Sequence, residues 1–292
     1  MKKILITGAD SYIGTSIERY LAQWPQQYQV DTVDMVDGSW SERSFAGYDA
    51  VFHVAGIAHS DTGNVSEERK ALYYKVNTDL TVETAKKAKA EGVGQFIFMS
   101  SAIVYGDSAP IGQQKVITAD TPLAPANFYG DSKVQAEKGI LPLNDDDFHV
   151  VVLRPPMIYG PGSKGNYPVL SKLAQKLPVF PKVANQRSML YIGNLAEFVR
   201  LMIENREQGI FWPQNSEYSN TTVLVRLIAN AQGKNILIVP GLGWALKLLG
   251  HATGLVNKAF GSLSYDMELS RYREDYRKYS LAESIELTEG KQ

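Results

Sequence analysis

The sequence contains no cysteine, which excludes disulfides, thiol catalysis and cysteine-bound metals. Histidine is nearly as scarce: His53, His59, His149 and His251 are the only four, and no two have metal-ligand spacing. No metal is expected. Neither sign of charge is in excess, with 30 Lys and Arg against 31 Asp and Glu, so neither nucleic acid nor an anionic membrane is an expected partner. The chain also lacks a run of about 18 uninterrupted apolar residues, the length a spanning helix needs. The nearest approach, Gly241-Leu242-Gly243-Trp244-Ala245-Leu246-Lys247-Leu248-Leu249-Gly250, is short and carries a lysine, and reads as a buried or hairpin helix. The opening Met1-Lys2-Lys3-Ile4-Leu5-Ile6-Thr7-Gly8 is broken by glycine too early for a secretory signal. A cytoplasmic location is the expectation.

What is present suffices for a large core, since 44% of the 292 residues are hydrophobic. Apolar runs at Lys3–Thr7, Val30–Val33, Ala50–Val54, Gln95–Ser100 and His149–Leu153 alternate with helical patterns at Tyr12–Gln23, Val65–Glu91 and Tyr129–Leu141. That alternation predicts a parallel sheet with crossover helices. The connection from Asp34 to Asp49 is short for a full crossover, so this layer is expected to be abbreviated. After Arg154 the texture changes: Pro155-Pro156 and Gly160-Pro161-Gly162 punctuate the chain, and turn signals recur to Gly193. Helical patterns follow at Leu195–Glu204, Thr222–Ala231 and Trp244–Ala252. The charged Arg271–Arg277 segment reads as a solvated face.

The first strand runs into Thr7-Gly8-Ala9-Asp10-Ser11-Tyr12-Ile13-Gly14. A dinucleotide-binding turn needs a glycine for its tight bend, a small residue beside the pyrophosphate, and a further glycine for close helix–strand packing. Gly8 and Gly14 fill the outer positions, and Ser11 stands where a second glycine is usual. The helix-start amides around Tyr12 and Ile13 then face the phosphate charge. An acid is needed at the end of the second strand to grip the ribose hydroxyls. Asp34 lies some two dozen positions after Gly8, near the usual offset of about 20; Asp31 and Asp37 are competitors. An acid there repels a 2′-phosphate, which favours NAD, with NADP the alternative.

Tyr129 and Lys133 are four residues apart, on one face of a helix. A free tyrosine, with a pKa near 10, is a poor base. A neighbouring ammonium and a positive nicotinamide ring favour its phenolate, which suits Tyr129 to acid–base work on an alcohol and ketone. Such a pair arises by chance in a chain with 16 tyrosines, so its context decides. That context is Gln95-Phe96-Ile97-Phe98-Met99-Ser100-Ser101, a buried strand ending in two serines, where open α/β sheets bind ligands.

Together and in order, Thr7–Gly14, Val51–Gly56, Ser100–Gly106, Tyr129–Lys133, Arg154–Gly162 and Arg187–Leu195 resemble the extended short-chain dehydrogenase/reductases, in the nucleotide-sugar epimerase/dehydratase group. The resemblance implies a catalytic triad of Ser101, Tyr129 and Lys133. It implies cofactor contacts from Ala55 and Gly56 after the third strand, and from Asn77, which braces the site. It likewise implies diphosphate contacts from Asn166 and Arg187, the latter through a planar fork that meets phosphate oxygens in pairs. The fold class is therefore expected to be α/β, a Rossmann-type doubly wound parallel sheet with a smaller C-terminal substrate-binding lobe. Residues 1–155 would form the NAD-binding domain, with later segments returning to it, and 156–292 mainly the nucleotide-sugar lobe. The group's mode of dimerisation implies a homodimer through the Val65–Glu91 and Tyr129 helices.

Dehydratases of this group carry an Asp-Glu pair directly after the catalytic serine or threonine. Here Ala102 and Ile103 occupy those positions, and neither moves a proton. Two enzymatic readings remain. The first is a 4-epimerase of a UDP-hexose or UDP-N-acetylhexosamine, working through a transient 4-keto sugar. The second is an NAD(P)H-dependent C4 reductase of a UDP-4-keto-6-deoxy amino sugar in surface-polysaccharide synthesis. The group's typical epimerase has Phe-Asn where Pro155-Pro156 stands, and a lysine at Ala58. A third reading, a non-catalytic dinucleotide-binding protein, goes against the retained Ser101, Tyr129 and Lys133. His53 reads as a satisfied core residue, and His59, just after the cofactor turn, as a structural residue, with reach to substrate the lesser reading.

Overall fold

The computed structural model describes residues 1–58, 65–241 and 260–290. The chain divides into two units. The first comprises Met1–Gly106, Pro122–Pro155 and Leu195–Pro213; the second comprises Asp107–Thr121, Pro156–Asn194 and Gln214–Gln292. The helix expected at Trp244–Ala252 lies outside the described residues, as do His59, His251 and most of the Gly241–Gly250 segment.

The first unit opens with strand β1 (Lys2–Thr7), helix α1 (Tyr12–Leu21), β2 (Tyr28–Val33) and β3 (Ala50–His53). Between β2 and β3 there is only a short 3-10 turn at Ser39–Ser41, so the expected abbreviation of this layer holds. Next, α2 (Glu67–Tyr74) and α3 (Leu80–Ala90) form one helical rod joined by a π-turn at Lys75–Asp79, followed by β4 (Gln95–Met99). The chain then leaves this unit through Asp107–Thr121, which carries β5 (Val116–Ile117) of the second unit. It returns with α4 (Phe128–Ile140) and β6 (His149–Leu153).

From Pro156 to Asn194 the second unit contributes β7 (Met157–Tyr159), α5 (Asn166–Lys176), β8 (Val179–Pro181) and β9 (Met189–Tyr191). Sequence punctuation had suggested only turns here. The α5 helix forms regardless, because Pro168 lies in its first turn, where no backbone N–H bond is lost. Helix α6 (Ile192–Glu204) leads to β10 (Gly209–Phe211), and α7 (Thr221–Ala231), β11 (Leu237–Val239) and β12 (Ser264–Tyr265) follow. A final helix, Leu281–Glu289, starts on a capping box between Ser280 and Glu283.

The first unit's sheet is parallel throughout, in the order β10-β6-β4-β3-β1-β2. Strand residues Ile4, Leu5, Ile6, Val51, Phe52, Phe96, Ile97, Phe98, Val150, Val151 and Val152 are completely buried. Burial on both faces is what continuous apolar runs require. The chain moves from β1 outward to β2, then crosses back to β3. A doubly wound sheet opens its binding crevice at such a reversal, beyond the carboxyl ends of the strands; here those ends are Thr7 and His53. The sequence-based fold class is therefore the observed one. In the second unit, three short parallel pairs (β7 with β9, β8 with β11, β5 with β12) accompany α5, α7 and the final helix.

The Arg271–Arg277 segment is not merely a solvated face. Tyr276 is buried, its hydroxyl donates to the Gln214 carbonyl at 3.0 Å, and Arg277 Nη2 donates to the Ser270 carbonyl at 2.8 Å. Among the described residues, no helix is long and apolar enough to cross a membrane. No cluster of three or more His, Asp or Glu among them has the arrangement to hold a metal ion.

Candidate active site

The turn after β1 is shaped by contacts that exclude side chains. Gly8 has φ +85°, and a Cβ on it would lie 3.0 Å from both the Cα and the N of Ala55. Glycine is needed there for its backbone angle and for the close approach of the β3 turn. The Gly8 and Ala9 amides both donate to the Val33 carbonyl, at 2.9 and 3.2 Å. Ser11 caps α1: its Oγ accepts from the Gly14 amide at 3.0 Å, and a Cβ on Gly14 would lie 2.6 Å from that oxygen. The Ser11 oxygen is thus committed to the helix, and its O–H remains to donate to a phosphate. Amides of the first helical turn, at Tyr12 and Ile13, have no acceptor within the helix. Asp10 holds φ +63° in the same turn.

One acid lies within β2 and two follow it, and the structure separates them. Asp31 accepts from the Tyr48 hydroxyl at 2.8 Å, and Asp37 caps the Ser39 turn. Asp34 stands exposed just past the strand end, with Oδ1 accepting from the Val36 amide at 3.0 Å. Of the three, it is the exposed acid that lies directly after the strand end.

Ser101, Tyr129 and Lys133 come together because two turns interlock. Ser101, in extended backbone after β4, caps the 3-10 turn Ala102–Tyr105 by accepting from the Ile103 amide at 3.3 Å. Asn127 caps α4, its Oδ1 accepting from the Gly130 amide at 2.9 Å. A Cβ on Gly130 would lie 2.9 Å from the Ile103 carbonyl oxygen, so the two turns are in direct backbone contact. Tyr129 is half-buried, hydrogen-bonded to Ser101, with the Tyr73 ring against it at 6.1 Å between centres. Burial pushes its phenol up to about 12, the Ser101 hydrogen bond pulling the other way.

Lys133 is buried, its Nζ donating to the Met99 carbonyl at 3.0 Å and lying 4.7 Å from the Phe98 ring centre. Burial pushes its pKa down to about 8, against the opposing attraction of Glu137. A Cβ on Gly56 would lie 3.0 Å from Asn77 Oδ1 and 3.4 Å from Lys133 Nζ. Asn77 sits in the π-turn and clasps the same loop: Oδ1 accepts from the Ile57 amide at 2.8 Å, and Nδ2 donates to the Ile57 carbonyl and to Ser132 Oγ, both at 3.1 Å. A π-turn locally re-aims a helix face, and here it presents Asn77 to the β3 loop. Gly8 thus meets Ala55, and Gly56 meets Asn77 and Lys133, so these residues lie together beyond the ends of β1 and β3.

His53 is fully buried, bonded to Thr7 Oγ1 at 2.8 Å and Thr81 Oγ1 at 3.0 Å. Burial drives its pKa down to about 3, so it is a neutral core residue, as read from sequence. Sequence reasoning missed Glu137 and Trp212, gave Tyr105 and Arg154 no role of their own, and placed Ser100 only at the strand end. The available signal was Glu137 itself, an acid one turn beyond Lys133 on the same helix face.

In the second unit, Asn166 at the start of α5 and Arg187 line one cavity of about 200 Å³ with Leu170, Leu173, Met189 and Leu224. Arg187 is fixed by backbone pairing with Ser219, at 2.9 and 2.8 Å. Burial pushes its guanidinium pKa down, which marks a cation taken out of water.

The residues present fit a dinucleotide. The glycine-lined turn, the open amides of α1, the exposed Asp34 carboxylate and the space kept by Gly56 match the shape and charge of such a cofactor. Residues 4–211 match the model of the NAD dependent epimerase/dehydratase family. The chain is 30% identical to a Vibrio cholerae UDP-glucose 4-epimerase, over 91% of this chain and 88% of that protein. Its fold is similar to that of Bacillus cereus UDP-glucuronic acid 4-epimerase in complex with NAD, with TM-score 0.71 and 18% identity, covering 98% of this chain and 95% of that one. It is equally similar to a Bacillus anthracis dTDP-4-dehydrorhamnose reductase in complex with NADP, with TM-score 0.72 and 17% identity over 99% of both chains. With the family match spanning most of its length, the chain belongs to the NAD-dependent epimerase/dehydratase family and is an enzyme of the extended short-chain dehydrogenase/reductase type.

Proposed function

We propose that this protein is an NAD-dependent nucleotide-sugar 4-epimerase acting on a UDP-hexose or UDP-N-acetylhexosamine, working as a cytoplasmic homodimer. The observation that carries the reading is the hydrogen-bonded Ser101–Tyr129 pair beside Lys133, followed by Ala102 and Ile103 instead of acids. The Tyr129 oxygen takes the proton of the sugar's C4 hydroxyl and later returns it. Ser101 donates to the same oxygen and aligns it. Lys133, anchored on the Met99 carbonyl, supplies the positive charge that favours the phenolate. NAD, held by the Gly8–Gly14 turn and Asp34, would supply hydride acceptance and return there, and the charge of its oxidised ring would add to that of Lys133. In the second unit, Arg187 and Asn166 hold the diphosphate. With no acid after Ser101, nothing there expels water from the sugar, so chemistry stays at the alcohol–ketone level.

The test incubates purified protein with UDP-glucose, UDP-N-acetylglucosamine and a UDP-4-keto-6-deoxy amino sugar. Conversion of either of the first two without added reductant is expected, with NAD co-purifying. Stoichiometric consumption of NADH with only the keto sugar replaces the reading by a C4 reductase. Tyr129→Phe is expected to lower turnover by about 10²–10⁴-fold; undiminished turnover would remove the catalytic assignment.

A further inference from the structure

One turn beyond Lys133, the buried face of α4 carries Glu137, which is 1% exposed. Its carboxylate accepts from Arg154 twice, from Nε at 3.1 Å and Nη2 at 2.6 Å, and also from Ser100 Oγ. Arg154 Nη1 donates to the Tyr105 hydroxyl at 2.7 Å, which also accepts from Trp212 Nε1 at 2.7 Å. The guanidinium lies 5.4 and 5.8 Å from the Tyr105 and Trp212 ring centres. Each partner belongs to a different segment: Ser100 adjoins Ser101, Tyr105 closes the turn that Ser101 caps, Arg154 follows β6, and Trp212 follows β10. The Ala102 amide donates to the Pro155 carbonyl at 2.9 Å, so the serine turn is tied to the arginine segment on its other side as well.

A buried ion pair is weak evidence of stabilisation, because well-packed apolar residues of similar volume often serve a core as well. What an apolar replacement lacks is charge beside Lys133. The groups near that ammonium are Glu137, one turn along its own helix, His53 from β3, Asn77 from the π-turn, and the Met99 carbonyl and Phe98 ring from β4. Arg154 reaches it only through Glu137. His53 is neutral, so Glu137 provides the formal counter-charge in this set.

We propose that Glu137, locked by Arg154, is a positioning residue of the site: it holds the Ser101 turn in register with α4 and supplies the counter-charge of the Lys133 ammonium. The proposal rests on the reading that Tyr129 moves a proton with the help of Lys133. Removing the carboxylate charge takes away the counter-charge of Lys133 and leaves the Arg154 guanidinium behind it uncompensated, so Lys133 sheds its proton at lower pH. Tyr129 then loses a cationic neighbour and ionises at higher pH.

The experiment uses NAD-loaded wild type, Glu137→Gln and the uncharged pair Glu137→Gln/Arg154→Met, with two readouts. The first is kcat and KM for epimerisation across pH. The second is an ultraviolet titration of Tyr129, taken as the difference between each protein and its Tyr129→Phe counterpart; it needs no sugar and stands even if no nucleotide sugar is turned over. For Glu137→Gln the alkaline limb of kcat is expected to move down by about one pH unit, with about a tenfold loss of kcat near that limb and KM within about twofold. Tyr129 is expected to titrate higher. The double variant is expected between Glu137→Gln and wild type in both readouts. Wild-type pH limbs and Tyr129 titration in either folded variant overturn the proposal. Failure of both variants to fold overturns it too, assigning the pair to folding alone.

Discussion

Gly130 separates catalytic geometry from helix stability in a single substitution. Its backbone is ordinary right-handed helix, so Gly130→Ala by itself should gain about 1 kcal/mol of helix propensity. The new Cβ, however, would lie 2.9 Å from the Ile103 carbonyl oxygen and 3.0 Å from Pro125 Cβ, where ordinary contact begins at 3.4 Å. The nearer atom is backbone and cannot rotate aside, so α4 and the Ser101 turn must part by about half an ångström. Overpacking of this kind costs about 1–3 kcal/mol, leaving net destabilisation of about 1 kcal/mol and a melting temperature lower by a few degrees. The same movement stretches the Ser101–Tyr129 hydrogen bond. Since misplacement by about 1 Å costs about 10²-fold, kcat should fall about tenfold with KM unchanged. Gly139→Ala, at the far end of the same helix, is the control: its Cβ meets only the Val82 side chain, so it should affect stability and spare kcat. Steady-state kinetics and thermal unfolding of both variants decide the matter. A Gly130→Ala protein with a raised melting temperature and kcat within twofold of wild type would refute the interlocked-turn argument.

Three further outcomes are expected. Folding holds the pKa of His53 near 3 instead of 6.5, so the unfolded chain binds the extra proton as pH falls. Stability present above about pH 6.5 is therefore lost on acidification, by about 3 kcal/mol between pH 7 and 4; urea unfolding of wild type and His53→Gln should show this slope only in the wild type, and parallel slopes would sink it. Asp34→Ser should weaken NAD about tenfold or more through loss of charged hydrogen bonds to ribose while admitting NADP, and an unchanged NAD-to-NADP affinity ratio by calorimetry would rule out that role. Arg187→Ala should raise KM for the nucleotide sugar at least tenfold with a much smaller change in kcat; an unchanged KM would place the diphosphate elsewhere.

Much of the first unit was legible because its signals are local. Fully apolar strands, the glycine spacing of the first turn and the four-residue interval from Tyr129 to Lys133 are all read within a few residues. The parts that were missed depend on residues far apart in sequence. Glu137 reaches Arg154 and Ser100. Strand β10 joins the sheet only by pairing with β6. Helix α5 hid behind punctuation that is compatible with a helix start.

The dinucleotide turn shows the division most plainly. From sequence alone, Gly8, Ser11 and Gly14 specified a bend, a helix start and a place for phosphate, because those demands are set by backbone angles and helix-end amides. Only the tertiary structure decided that Ser11 spends its oxygen on the helix cap, and that Asp34, not Asp31 or Asp37, offers its carboxylate at the strand end. It likewise decided that Tyr129 is buried enough to raise its phenol, with Ser101 pulling the other way. Hydrogen-bond partners and solvation depend on which distant groups share a space, and no spacing rule along the chain encodes them.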